Sequence, residues 1–231
     1  MTEIPEIVLL TLRVAVTGVL FSAPVAFALA YLLARGRFAG RNLLSALIML
    51  PLVLPPVVTG LILLDLFGPL GPLGKFFGIF GIEFGFRWTG AALAAGLVAL
   101  PLMVRPMRLA LENVDPALHE ALAVAGHGRW ARLIKLDLPL ALPGLLAGLI
   151  LGFAKSLGEF GATITFVASI PGETRTLSLA IFSAMQSVDG MTLVYVLSGI
   201  SIALSIVAVV ASELLVERIS RRSSGRGSAH A

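Results

Sequence analysis

The side chains of this sequence that could do chemistry are few, and they form no recognisable catalytic set. The three histidines (His119, His127 and His230) lack the spacing and the neighbouring carboxylates of a metal site, and the chain has no cysteine. The phosphate-binding pattern G-x-x-x-x-G-K-[ST] is absent, so the chain cannot hold ATP by that mechanism. We therefore expect no catalytic residue, no metal ligand and no cofactor in this chain, and we interpret the histidines as surface residues.

One polar, glycine-containing segment stands out, "EALAVAGHGRWARLIKLDLP" at residues 120–139. Asp115 and Pro116, just before it, are typical of a helix N-cap and first helical position. Gly126 suits a helix end in the left-handed conformation, and Asp137 is a plausible cap for the helix that follows. The pattern predicts two short helices around a glycine corner. Spacing alone leaves two interpretations open, a helix lying on anionic lipid headgroups and a docking surface for another protein.

The rest of the composition predicts a membrane protein. Hydrophobic residues make up 58% of the 231 positions, charged residues 13%, and the mean hydropathy is +0.99. Soluble domains carry about 25% charged residues. The apolar runs reach the roughly 20 residues that a spanning helix needs. They predict an all-α, multi-pass protein with five spans: Ile7–Ala34, Leu43–Phe67, Trp88–Glu112, Leu138–Leu157 and Met191–Val216.

The basic residues predict the orientation of these spans. Twelve of the 17 lysines and arginines fall in or beside the segments that follow the first, third and fifth spans. Because cytoplasmic loops are enriched in lysine and arginine, we expect the N-terminus outside and the C-terminus in the cytoplasm. This placement explains the net charge of +4 without a nucleic-acid partner. We divide the chain into a transmembrane domain, residues 1–217, with a cytoplasmic loop at about 113–138, and a basic, disordered tail at 218–231.

Two outer segments are less regular. Residues 174–185, "TRTLSLAIFSAM", are apolar but too short to span, and they predict either a short interfacial or re-entrant helix or a loop packed on the bundle. The glycine-rich loop at 68–87 is expected to hold little regular structure. Arg13, inside the first span, has no obvious local partner and is expected to reach outward along the helix.

The cytoplasmic segment resembles the EAA loop of importer-type ABC permeases. Glu-Ala, a glycine six residues after the glutamate and a closing Leu-X-Leu-Pro match that signature, although Leu122 replaces its usual second alanine. The resemblance implies a coupling helix that seats in the cytoplasmic ATPase subunit. The implied docking residues are Glu120, Ala121, Leu122, Gly126, Leu138 and Pro139.

Longer stretches resemble the molybdate permease subunit, among them "LPLVLPPVVTGLILLDLFGPLGPLG" and "IPGETRTLSLAIF". The resemblance implies a homodimer in the bacterial inner membrane, with ATP and Mg²⁺ held by partner ATPase subunits and molybdate delivered by a periplasmic binding protein. Sulfate and tungstate permeases are close alternatives. A stand-alone secondary transporter or a membrane-embedded hydrolase is less favoured, since we find no internal repeat and no nucleophile–base pair.

A path for a dianion should be lined by hydroxyls and backbone amides at helix breaks. Pro51, Pro55 and Pro56 remove backbone donors from the second span, and "LGEFGATIT" forms a second break. Lys155 and Glu159 could form an intrahelical pair, which we favour, or Lys155 could contact the anion. Alternatively, the prolines only kink the helix for packing and do not line a path. The candidate path residues are Pro55, Pro56, Thr59, Lys155, Glu159, Thr163 and Thr165.

Overall fold

The structure, a computed structural model, describes residues 3–224, without the side chains of 212, 213 and 215–224, and all the regular secondary structure in this part of the chain is helical. A π-helical turn spans Leu133–Asp137. The α-helices are α1 Glu3–Arg35, α2 Arg41–Val53, α3 Pro56–Phe67, α4 Pro72–Gly78, α5 Trp88–Glu112, α6 Pro116–Val124, α7 Arg129–Arg132, α8 Leu138–Leu157, α9 Gly161–Val167, α10 Leu177–Met185 and α11 Met191–Ser224.

Four segments within the described residues are long and apolar enough to cross a membrane: α1, α5, the continuous segment Arg129–Leu157, and α11 as far as Ala211. They match four of the predicted spans, but the second short helix predicted after Gly128 is continuous with the fourth span, because α7 and the π-helical turn run into α8 without a break. The second predicted span is instead the pair α2 and α3, bent by 109°. The predicted disruption of this span by proline is confirmed at Pro55, whereas Pro51 lies inside α2. Pro55 adopts an extended backbone (ψ 129°) and lacks the amide hydrogen that a continuous helix requires.

Helix α5 lies at the centre of the bundle and packs on α1 and α8. Glycines allow the close approach on both sides. A Cβ atom at Gly18 would lie 2.6 Å from the carbonyl oxygen of Ala92, and one at Gly148 would lie 2.7 Å from that of Met103. Gly144, Gly148 and Gly152 form a stripe along α8 at a spacing of four residues. Such small-residue stripes let membrane helices pack backbone to backbone.

The short outer helix predicted at 174–185 is α10, which packs on α1 and α11. The buried hydroxyl of Thr11 in α1 accepts a 2.8 Å hydrogen bond from the backbone amide of Leu177. This bond fixes the start of α10 to the bundle.

Two boundary predictions need correction. The outer loop at 68–87 contains α4, and its phenylalanines stack on one another and on Phe67, which gives the loop its own apolar cluster. The predicted tail at 218–231 begins inside α11, which continues to Ser224 because the apolar helix runs on into the basic residues without a breaker. Residues 225–231 of that tail lie outside the described residues.

The bundle has two charged ends. At one end, Arg41 contacts Glu112 at 3.0 Å, and Arg108 contacts the same carboxylate at 2.8 Å. At the other end, the guanidinium of Arg13 lies 3.7 Å from the centre of the Trp88 ring. Arg13 therefore has a cation–π partner that the sequence did not reveal.

Candidate docking segment and translocation path

The segment predicted to dock a partner is formed by α6 and the corner that ends it. Asp115 caps the helix, since its carboxylate accepts a 2.8 Å hydrogen bond from the amide of Ala117. Gly126 follows the helix with a φ of 79°, and the amide of His127 donates to the carbonyl of Leu122 at 2.9 Å. This is the hydrogen-bond pattern of a Schellman motif. The predicted cap and glycine corner are both confirmed.

The solvent-facing surface of α6 carries exposed apolar side chains. Val124 is 90% exposed and Leu118 is 44% exposed, while Leu122 is partly covered. Glu120 and Ala121 are exposed, and Glu120 makes no ion pair with any residue that the structure describes. Leu118 and Leu122 are four residues apart and share one face of the helix, and exposed apolar patches mark interaction sites in proteins. The surface of α6 is therefore available to a partner.

The remaining two predicted docking residues lie on a different element. Leu138 and Pro139 begin α8, and both are exposed. The structure thus brings Glu120, Ala121, Leu122 and Gly126 together on one short segment and places the Leu-Pro pair at the entry to the next membrane helix.

A buried carboxylate connects α6 to the membrane helices. The side chain of Asp137 is fully buried, and its Oδ1 lies 2.8 Å from Arg35 at the end of α1 and 3.0 Å from the Nε2 of His119 in α6. Asp137 has helical backbone angles and makes no capping bond, so its interpretation as a cap was wrong. The surface interpretation was also wrong for His119, whose side chain is only 18% exposed.

Sequence reasoning could have found this cluster from one signal. Asp137 lies in the apolar run "LIKLDLPL", and a carboxylate among apolar neighbours requires a cationic or hydrogen-bonding partner. The sequence does not identify that partner, because Arg35 is 102 residues away along the chain.

The two helix breaks predicted to line a path lie against each other, because α3 packs on α9. Gly60 makes this contact possible, since a Cβ atom there would lie 2.6 Å from the carbonyl oxygen of Ala162. A Cβ atom at Gly161 would lie 2.5 Å from Pro56. The structure therefore joins the proline break and the "LGEFGATIT" break into one unit.

The candidate path residues differ in exposure. Pro55 and Pro56 are exposed, and Lys155 and Thr165 are partly exposed. Thr59, Thr163 and Glu159 are buried within the single chain. The hydroxyl of Thr59 is buried and has no hydrogen-bond partner among the described residues.

The predicted pair between Lys155 and Glu159 is present, with the ammonium 2.6 Å from Oε2 of the carboxylate. The other carboxylate oxygen of Glu159 accepts a 3.1 Å hydrogen bond from the amide of Ala162 in the first turn of α9. Glu159 thus holds the end of α8 and the start of α9 together. This second contact was not visible in the sequence.

Comparison with known proteins decides the family of this chain. Residues 11–221 match the family model described as "Binding-protein-dependent transport system inner membrane component". The chain belongs to this family. Members are multi-pass components of the bacterial inner membrane in transport systems that depend on a binding protein, and this chain is such a permease component and not the ATPase.

Curated relatives cover nearly the whole chain. It is 49% identical to the molybdenum transport system permease protein ModB of Escherichia coli (strain K12), over 96% of both chains. It is 48% identical to the ModB protein of Haemophilus influenzae, over 92% of this chain and 93% of that one. The sulfate transport system permease protein CysT of Escherichia coli is 35% identical over 93% of this chain and 77% of its own.

Solved structures share the fold at low sequence identity. A chain of a bacterial ABC transporter involved in alginate import superposes with a TM-score of 0.72 and 18% identity, covering 96% of this chain and 80% of that chain. A chain of the MetNI methionine ABC transporter, in an inward-facing conformation, superposes with a TM-score of 0.67 and 17% sequence identity, covering 94% of both chains. The fold is therefore that of an ABC transporter permease.

Proposed function

We propose that this chain is the membrane-spanning permease subunit of an ATP-driven molybdate importer. The observation that carries the proposal is the 49% identity to a molybdenum permease over 96% of both chains, against 35% for a sulfate permease that is longer than this chain. Sulfate is the second candidate substrate because of that relative, and tungstate is a further oxyanion that the same architecture could pass.

The proposed contribution of α6 is to dock the ATPase subunit, which holds ATP and Mg²⁺. Its exposed apolar surface supports this role, and so does Glu120, a charged side chain free of ion pairs within the described residues. In this proposal α6 is the coupling helix. ATP binding moves it, and the buried contacts of Asp137 with His119 and Arg35 transmit that motion to α1 and α8. The subunit supplies two conformations with different contacts rather than bond chemistry.

We further propose five crossings of the membrane with the N-terminus outside. Arg41 lies beside Glu112 at one end of α5, and Trp88 lies beside Arg13 at the other. The chain between residues 41 and 88 must therefore pass from one end to the other, by the bent route of α2 and α3. The basic residues at the Glu112 end support its cytoplasmic placement.

The path is proposed to form between this chain and a second copy of itself. Residues that line such a path must be accessible on the single chain, as Pro55, Pro56, Lys155 and Thr165 are. The buried candidates Thr59, Thr163 and Glu159 would then support the wall from behind. A periplasmic binding protein would deliver the anion from the outer side.

Site-specific cross-linking tests the docking role. Because the chain has no native cysteine, an introduced cysteine is its single thiol. A Glu120→Cys variant, assembled with its ATPase in membranes, is treated with a thiol- and amine-reactive cross-linker. We expect a covalent adduct with the ATPase subunit. A matched Val188→Cys variant, 99% exposed before α11, should give none.

Two results would argue against this role. Equal adduct yields from both variants would mean that the reaction is non-specific. No adduct from Glu120→Cys in a complex that still hydrolyses ATP would place the docking surface elsewhere.

A further inference from the structure

Two cavities adjoin at the cytoplasmic end of α1. The first has a volume of about 530 Å³ and is lined by ionisable side chains: Arg35, Arg37, Arg129, Arg132, His119 and Asp137. The second, of about 600 Å³, is mainly apolar and is lined by Phe27, Ala28, Trp130 and Leu133. Tyr31, Leu32 and Arg129 line both, so the two cavities are neighbouring compartments of one groove.

The charged compartment has an excess of unpaired positive charge. Arg35 is paired with Asp137, but Arg37, Arg129 and Arg132 make no ion pair with any residue that the structure describes. The Nε atoms of Arg35 and Arg132 are buried and lack a hydrogen-bond partner there. Buried donors without partners are unfavourable, and phosphate oxygens are strong acceptors for guanidinium groups. The compartment is therefore suited to an anionic phosphate.

The apolar compartment lies in the direction of the bilayer. Phe27 is two turns, or about 12 Å, further into α1 than Arg35, so the apolar cavity is at acyl-chain depth when the arginines are at headgroup depth. Tyr31 lies between the two levels, and Trp130 is 78% exposed beside the groove. Tyrosine and tryptophan are enriched at this level of membrane proteins.

We propose that this groove binds an anionic phospholipid. Its phosphate occupies the arginine compartment and one acyl chain lies along Phe27 and Ala28. A free oxyanion would use the arginines alone and would have no need of the apolar compartment. The groove shares His119 and Asp137 with the contacts between α6 and the membrane helices. The proposal does not depend on which anion is transported.

Tryptophan fluorescence reports directly on this site, because the chain has only Trp88 and Trp130. A Trp88→Phe variant, which keeps an aromatic ring under Arg13, leaves Trp130 as the single tryptophan of the chain. The full chain is reconstituted into phosphatidylcholine vesicles that contain a minor fraction of brominated phosphatidylglycerol. We expect stronger quenching of Trp130 than with the same fraction of brominated phosphatidylcholine.

Charge variants connect the quenching to the arginine compartment. An Arg132→Gln change should weaken the apparent affinity for the brominated phosphatidylglycerol about fivefold, the effect of losing one basic contact to an anionic lipid. Lys75→Gln, which removes an exposed charge in the outer loop, should leave it unchanged. Native mass spectrometry gives a second measurement. The unmodified chain should retain bound phosphatidylglycerol, and the Arg132→Gln variant should lose it.

Three results would overturn the proposal. The first is equal quenching by the two brominated lipids, and the second is equal lipid retention by the unmodified chain and Arg132→Gln. The third is Arg132-dependent binding of inorganic phosphate in detergent without any preference for phosphatidylglycerol, which would identify a free-anion site instead.

Discussion

At the scale of single residues, the end of α6 depends on one backbone conformation. Gly126 has a φ of 79°, in the left-handed region, and its surroundings leave open space where a side chain would project. Any penalty for replacing it therefore comes from the backbone and not from a steric clash. Gly128, two residues on, has a φ of −65° and equally open surroundings. Comparing substitutions at these two glycines separates the effect of backbone strain from the effect of replacing a glycine.

Replacing Gly126 by valine should weaken association with the ATPase while leaving membrane insertion intact. A β-branched residue in the left-handed region costs about 1–3 kcal/mol, which favours a different exit from α6 and displaces the corner. Gly128→Val should associate normally. Co-purification with the ATPase measures both variants, and equal association of the two would mean that the corner's geometry is unimportant for docking.

The contacts of Glu159 favour a structural role for its pair with Lys155. The carboxylate is 3% exposed, whereas the lysine side chain is 31% exposed, so losing the lysine leaves the more buried charge unpaired. We expect Lys155→Met to lower stability by on the order of 1–2 kcal/mol, less than for a fully buried pair. Adding Glu159→Gln removes that charge and should restore uptake and thermal stability. Low uptake in a stable, well-expressed double variant would instead mean that Lys155 contacts the transported anion.

At the scale of elements, the hydrophobic pattern predicted most of the helices, and what it missed has local causes. Four span predictions agree with the helices because long apolar runs have few alternatives in a bilayer. The second predicted span is bent by 109° at Pro55 and Pro56, an angle that the presence of the prolines in the sequence does not specify. Helix α4 was missed because its glycines and Pro72 resemble a loop.

Contacts between elements were less predictable. The Arg35–Asp137 and Thr11–Leu177 contacts join residues 102 and 166 positions apart, and no local pattern encodes such pairings. The glycine stripe of α8 is visible in the sequence at positions 144, 148 and 152. Its meaning required a partner helix, because glycines at this spacing can face a neighbouring helix or lipid.

The packing of α8 on α5 can be tested with one methyl group. Gly148→Ala should lower the melting temperature in detergent, because the added Cβ would lie 2.7 Å from the carbonyl of Met103 and force the two helices apart. Gly199 lies in α11 with open space around it, so Gly199→Ala should leave the melting temperature unchanged or raise it. Both changes gain similar helix propensity, about 1 kcal/mol. A difference between them therefore reports packing, and the same melting temperature for both would refute the close approach.

At the scale of the whole molecule, the two charged ends of the bundle support the proposed orientation. Single cysteines introduced at exposed positions test it in intact cells with a membrane-impermeant maleimide. Val188→Cys, in the segment between α10 and α11, should react from outside. Val124→Cys, on α6, should react only after the membrane is opened, provided that the ATPase has been removed. The reverse pattern would invert the proposed topology.

The central claim is that this chain forms the path of an ATP-driven molybdate importer, and transport by the reconstituted complex tests it most directly. Proteoliposomes would contain the chain and its ATPase, with ATP inside and the binding protein and labelled molybdate outside. We predict molybdate accumulation that requires ATP and the binding protein and that persists in excess sulfate. Accumulation without ATP, or complete displacement of molybdate by sulfate, would contradict the account.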